Sequence, residues 1–260
     1  FTLYYTRPDG RAPQIGDSDD GRVQILFDFY NWERNDHRYL LDIGACFFDN
    51  PEFKVRDRFS EEAFWYLGPA GLNKFRSFKK IDQHLESKAF TDSGFYVMRQ
   101  KDLYMLAIAN GKGTGGIGNH KHNDLFSFEL YTDDQSIIVD PGTYVYTPYP
   151  DLRNLFRSTA YHNTVIVDDK EINKIYKDFL FMLGNQTKPK IIKWQTDEEK
   201  DLLIAEHNGY SSLKDSIIHK RTFQFNKSEK IWKIKDELTA RGLHNAQWFF
   251  HLESGLEVKL

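Results

Sequence analysis

Gly94-Phe95-Tyr96-Val97-Met98-Arg99-Gln100-Lys101-Asp102-Leu103-Tyr104-Met105-Leu106-Ala107-Ile108-Ala109 is two apolar, aromatic-rich runs split by a polar triplet. Runs of this length and composition, punctuated by Gln100-Lys101-Asp102, predict two strands joined by a tight turn and therefore paired antiparallel. The same rhythm continues downstream. Leu125 to Thr132 and Ser136 to Asp140 flank Asp133-Asp134, and further runs cover Asn163 to Val167, Lys190 to Trp194 and Leu202 to His207. Ile217 to Phe225, Lys230 to Asp236 and Gln247 to Leu252 complete the set. Few helical patterns interrupt them. So many short strands with hairpin spacing predict a mainly β fold, an antiparallel double-layer β-sandwich over residues 89–260.

Upstream, the period changes to helical. Val23 to Trp32 and Asp36 to Phe48 place Leu26, Phe27, Tyr30, Leu40, Leu41 and Cys46 at helical spacing. Pro51 is expected to stop the second helix, and Ser60-Glu61-Glu62 to cap a short third one over Ala63 to Leu67 that ends at Gly68-Pro69. Residues 1–70 are thus read as a helical segment and 71–88 as a linker. Helices this few and short bury little of their own apolar surface, so they are expected to be the tail of a larger helical domain or a platform for the strands.

Bulk composition removes several classes of partner. The chain has 260 residues and a formal net charge of -3, with Lys+Arg 35 against Asp+Glu 38, so it lacks the basic field that nucleic acid demands. No apolar run reaches the length of a membrane span. Cys46 is the only cysteine, which excludes an internal disulfide and a thiolate zinc cluster. Asp17-Ser18-Asp19-Asp20-Gly21 has the look of a calcium loop, but Gly21 falls at a ligand position and Asp28 at the closing one. Capping by Asp17 or Ser18 of a helix from Val23 is the reading adopted.

The chemistry concentrates where the glycine-rich stretch 110–118 enters Asn119-His120-Lys121-His122-Asn123-Asp124. In extended chain His120 and His122 share a face. Asp140 closes the run Ser136-Ile137-Ile138-Val139, and His162 precedes Asn163-Thr164-Val165-Ile166-Val167. Imidazole and carboxylate groups at the ends of neighbouring strands are donors that zinc accepts. Arg153 and Arg157, four apart, would lie on one face of a helical turn, and a guanidinium grips a carboxylate with two hydrogen bonds.

Several ordered motifs resemble the heparinase II/III-like family: Gly118-Asn119-His120-Lys121-His122-Asn123-Asp124 with Phe126-Ser127-Phe128, then Val139-Asp140-Pro141-Gly142-Thr143-Tyr144, then Arg157-Ser158-Thr159-Ala160-Tyr161-His162-Asn163-Thr164. Near the start, Gly16-Asp17-Ser18-Asp19-Asp20-Gly21-Arg22 and Glu62-Ala63-Phe64-Trp65-Tyr66-Leu67-Gly68 resemble the end of that family's helical toroid. The resemblance implies an incomplete α/α toroid joined to an antiparallel β-sandwich, and cleavage of uronic-acid-containing acidic polysaccharide by β-elimination. It implies His120 as a catalytic residue, Asn119, Arg153 and Arg157 as substrate-binding residues, and a structural zinc on His122, Asp140 and His162. It also implies the chain's own N-terminal toroid as a partner domain and a periplasmic or secreted location. A proton-transferring tyrosine belongs to the toroid in that family; nothing in residues 1–70 matches its segment, so this stretch alone is expected to be inactive or nearly so.

Two other readings stay open. A non-catalytic glycan-binding or scaffold sandwich would use a structural zinc and stack sugars on Tyr144, Tyr146, Tyr149 and Tyr161. His-x-His-x-Asp is also the metal motif of metallo-β-lactamase-like hydrolases, but that site usually continues with histidine where Leu125 stands, and its fold alternates strands with helices.

Overall fold

The computed structural model describes residues 1–18, 26, 35–81, 84–111, 117–210 and 213–257. Except for Leu26, the helix expected over Val23 to Trp32 lies outside them, as do Asp19, Asp20 and Gly21 of the Asp17–Gly21 cluster. Two compact units emerge, one formed by Phe1–Pro13 with Asp19–Leu85, the other by Gln14–Ser18 with Glu86–Leu260.

The first unit is helical: α1 (Thr2–Tyr5), α2 (Arg38–Phe47) and α3 (Glu61–Ser77). Ala45, Cys46 and Phe75 form its buried apolar cluster, so Cys46 is a packed thiol. Ser60 caps α3 by accepting from the Ala63 amide at 3.3 Å. The chain does not leave the helix at Gly68-Pro69. Gly68 takes a left-handed φ of 61°, the helix kinks, and Pro69 starts a second helical stretch that runs to Ser77, into the segment expected to be linker. Proline suits such a restart, because the first turn has no use for its missing N–H.

The second unit is an antiparallel β-sandwich. Its first sheet pairs β1 (Lys88–Phe90), β2 (Phe95–Gln100), β3 (Leu103–Ile108), β4 (Phe128–Thr132) and β5 (Gln135–Ile138) in sequence order. After a short helix, α4 (Pro150–Phe156), and β6 (Val165–Val167), a second sheet follows in the order β10-β9-β8-β7. Its strands are β7 (Lys190–Thr196), β8 (Lys200–His207), β9 (Ile218–Asn226) and β10 (Ile231–Thr239). β11 (Ala246–Trp248) returns to pair with β6. The turn residues Asp133 and Asp134 both have positive φ, as the tight hairpin between β4 and β5 demands. Ladder register slips between Ile191 and Lys193 on β7, an edge strand.

Alternation decides which face each residue takes. Along β9, His219, Arg221, Phe223 and Phe225 point inward and their neighbours outward. Tyr96, Met98, Met105, Ala107 and Phe128 from the first sheet meet Leu203, Ala205, Phe223 and Phe225 from the second in one core. The first sheet is also covered on its other face, where Val97, Tyr104, Leu106 and Tyr131 pack with Ile15.

A buried polar seam crosses this core. Arg221 forks onto Asp236 at 2.6 and 2.8 Å and donates from Nη1 to the Phe126 and Asn163 carbonyls. It thereby ties the second sheet to the loops that carry the histidines. Beside it, the Gly209 amide donates to His207 Nδ1, which leaves the His207 proton on Nε2 to be donated to His219 Nδ1 at 3.0 Å. His219 in turn donates from Nε2 to Asp236 at 2.6 Å.

Candidate active site

Segment Gln14–Ser18 lies against the histidine loop, and its conformation depends on Gly16. Gly16 has a φ of 56°, and a Cβ there would stand 2.5 Å from the His120 carbonyl oxygen. The next amide, that of Asp17, donates to the same carbonyl at 3.0 Å, and Thr143 donates to the Gly16 carbonyl at 3.1 Å. This close packing puts the Asp17 side chain, 1% exposed, between three basic groups. His120 Nδ1 is 3.1 Å from its Oδ2, His122 Nε2 is 2.9 Å from its Oδ1, and Arg153 Nη2 is 2.5 Å from Oδ1. Burial works to raise the Asp17 carboxyl, but the His122 hydrogen bond and the Arg153 charge outweigh it and hold it below the usual carboxylate range.

The histidines sort by depth. The His120 side chain is 63% exposed, with its ring edge-on to Phe181 at 6.1 Å. His122 and His162 are fully buried, with ring centroids 5.3 Å apart. Burial pushes His122 below its ordinary value, against the pull of the Asp17 hydrogen bond. Its Nε2 serves Asp17, while Arg153 Nη1 sits at 2.9 Å from the same nitrogen. Burial would lower His162 too, but the Asp140 carboxylate, 2.7 Å from His162 Nδ1, carries it upward instead. The second oxygen of Asp140 accepts from the Gly142 amide at 3.0 Å. Asp124, fully enclosed, is raised by burial.

The His122 ring lies beside that of His162, and His162 is bonded to Asp140. His122 Nδ1, His162 Nε2 and Asp124 Oδ1 are buried and make no hydrogen bond among the described residues. Two bare imidazole nitrogens and carboxylates within one buried cluster fit zinc in donor type. As the side chains stand, no group of three His, Cys, Asp or Glu among the described residues forms a ready coordination set.

The two arginines expected to bind substrate need correction. Arg153 lies on α4 and Arg157 is its C-cap residue, and both are completely buried; Arg157 is spent on internal partners, while Arg153 Nε and Nη2 make no hydrogen bond among the described residues. Arg153 holds Asp17 and lies 5.6 Å from the rings of both Tyr146 and Phe181. Arg157 donates to Asn154 Oδ1 and to the Met182, Tyr176 and Phe179 carbonyls, fastening the 176–182 loop to α4; burial, then the Arg153 charge, lowers it to about 10. Neither presents an open guanidinium to a substrate. The capping by Asp17 or Ser18 expected for a helix from Val23 falls on residues outside those described; the Asp17 carboxylate itself meets His120, His122 and Arg153. Asn119 is half-buried, with Oδ1 lacking a hydrogen bond among the described residues.

Sequence reading passed over Asn123 and Asn163, which pin the loops beneath the site. Asn163 donates to the Phe128 and Val139 carbonyls and accepts from the His251 amide, joining the ends of β4 and β5 beside His162. Asn123 donates to Glu171 and to the Asn173 carbonyl, and accepts from the Asn173 amide. A cavity of about 760 Å³ is lined among others by Asn154, Lys170, Glu171, Lys174 and Lys177, and His120 is not among its lining residues. The antiparallel sheets also lack the alternation of strand and helix that a metallo-β-lactamase-like hydrolase requires.

Comparison with known proteins accords with this architecture. A "Heparin-sulfate lyase" of Bacteroides stercoris is 28% identical over 145 residues, covering 54% of this chain and 19% of that protein. The crystal structure of heparan sulfate lyase HepC from Pedobacter heparinus superposes with a TM-score of 0.66 at 20% identity, over 96% of this chain and 33% of that one. A solved heparinase III gene product gives 0.70 at 19% identity, over 99% and 34%. The chain thus spans about a fifth of that relative and about a third of those solved chains. Residues 82–260 match the family described as Heparinase II/III-like, C-terminal, and the chain belongs to that family.

Proposed function

We propose that the protein carrying this chain is a polysaccharide lyase that cleaves uronic-acid-containing acidic polysaccharide by β-elimination. The observation that carries this reading is His120, open to solvent and anchored from behind by Asp17, in a domain of the Heparinase II/III-like family. Elimination removes the proton beside the uronate carboxylate and expels the glycosidic oxygen, so it needs a group that exchanges protons near neutral pH. A solvent-facing imidazole meets that need. The buried Asp17–His122–Arg153 cluster keeps the loop behind it rigid. With both arginines completely buried, neutralisation of the substrate carboxylate falls to other groups.

Zinc on His122, Asp140 and His162 is part of the same proposal; its role there is structural, drawing strand ends together. The bare nitrogens His122 Nδ1 and His162 Nε2 support it. Purified protein should carry about one zinc per chain by elemental analysis, and chelation should lower Tm. Full stability with no metal bound would remove zinc from the account. A periplasmic or secreted location belongs to the proposal too, and no helix among the described residues is long and apolar enough to cross a membrane.

The test of turnover is the appearance of unsaturated uronate absorbance on a panel of acidic polysaccharides, using the whole protein and the 260-residue chain side by side. The whole protein should produce it and the chain alone should not, because a proton-transfer partner is expected on the toroid. Absence of product from every polysaccharide would sink the lyase reading. A binding role without turnover is the second reading, favoured by Tyr144, which is 67% exposed, holds a φ of 59° and stacks on Phe156 at 4.8 Å.

A further inference from the structure

We propose that Asp17 is a positioning residue that fixes the tautomer of His120, holding the proton on Nδ1 and presenting Nε2 as the bare, basic nitrogen. Three observations carry this. The Asp17 carboxylate is buried and lies against the Arg153 guanidinium, an obligate donor, so its oxygens act as acceptors. His120 meets it through Nδ1 at 3.1 Å, and a carboxylate can only accept from that nitrogen, which must then carry the hydrogen. The backbone leaves Asp17 little latitude, because its amide is bonded to the His120 carbonyl and a side chain on Gly16 would strike that carbonyl.

Asp17 does for His120 what a buried carboxylate does behind the histidine of a serine protease, selecting the tautomer and steadying the ring. Its other oxygen meets His122 and Arg153, so one side chain links the exposed histidine to the buried pair. Importance for turnover rests on the lyase reading above; the tautomer itself does not.

The informative variant is Asp17→Asn. Arg153 would claim the amide oxygen as acceptor, turning the amide NH2 toward His120. Nδ1 would then have to accept, and the proton would move to Nε2. The measurement is the long-range proton–nitrogen correlation spectrum of the 260-residue chain with 15N-labelled imidazoles, at a pH where the exposed ring is neutral, with His120 assigned by His120→Gln. Wild type should show His120 protonated on Nδ1, and D17N should show it protonated on Nε2. Nε2–H in wild type, or Nδ1–H retained in D17N, overturns the proposal; should D17N not fold, the wild-type spectrum decides alone. In the whole protein, D17N should lower kcat by on the order of 10²-fold with KM little changed. If no acidic polysaccharide is cleaved, the lyase reading fails and the tautomer result stands. If cleavage proceeds and D17N leaves kcat unchanged, the positioning role fails and the lyase reading stands.

Discussion

Truncating Arg157 to alanine would strip donors from the Met182, Tyr176 and Phe179 carbonyls and from Asn154 at one stroke. The Tyr176 and Phe179 carbonyls keep the Phe179 and Met182 amides as donors, so the Met182 carbonyl and Asn154 Oδ1 are the acceptors left bare; at about 1–3 kcal/mol each, R157A should lose about 2–4 kcal/mol of stability in urea titrations. A loss under 1 kcal/mol would show that the 176–182 loop does not depend on this side chain. His120→Ala makes the opposite demand. Its ring is mostly in solvent, so Tm should shift by about 1–2 °C at most, while turnover by the whole protein should fall about 10²–10⁴-fold. Spacing in the sequence showed that the two arginines share a helical face but carried no information on whether that face looks outward. Nor could it pair Asp17 with His122, because those side chains are 105 residues apart and meet only through tertiary packing.

At the level of strands and helices, β8 and β9 were readable by period-two patterning because one face of each is buried, whereas β2 and β3, buried on both faces, were readable as apolar runs between turns; these four and β10 fall within a few residues of their predicted bounds. β1 was not, since three residues give too little alternation to register. The helix beyond Gly68-Pro69 was hidden because the same dipeptide that ends one helix can begin another. The seam between β8, β9 and β10 sets a pH response. Burial, with the neighbouring charge of His219, holds His207 well below its ordinary 6.5; burial also lowers His219. In the unfolded chain both bind protons near that ordinary value, so acid favours unfolding. Their contribution is therefore intact above pH 6.5 and declines as pH drops below it. Asp236 is depressed because hydrogen bonds from His219 and Arg221 overcome its burial, and it adds a further decline below about pH 4. Unfolding free energy should be level between pH 7 and 8 and fall below 6.5 by up to about 1.4 kcal/mol per pH unit for each histidine. Stability unchanged from pH 7 to 5 would show that these rings take up protons without loss.

For the sandwich as a whole, stability rests on the two inner faces meeting. Phe223, wholly enclosed and packed edge-on against Phe128 at 5.8 Å, joins the sheets at their centre. Phe223→Ala should cost about 3–5 kcal/mol, read as a shift in denaturation midpoint with unchanged slope. A much smaller cost would mean that the layers close over the gap. Composition and patterning revealed this two-layer body because hydrophobic burial is written residue by residue. The site was only half visible, since histidine and aspartate at strand ends announce chemistry without stating depth.

The slipped ladder at Ile191–Lys193 bears on how this body behaves in a crowd of its own kind. An outermost strand offers unpaired amides and carbonyls to any passing chain, and a flat one would template growth of a shared sheet. Here the extra residue breaks the hydrogen-bonding rhythm, and Lys190 and Lys193 flank the break with charge. Straightening that strand by deleting Ile192 should therefore convert a blunt margin into an adhesive one, visible as concentration-dependent light scattering.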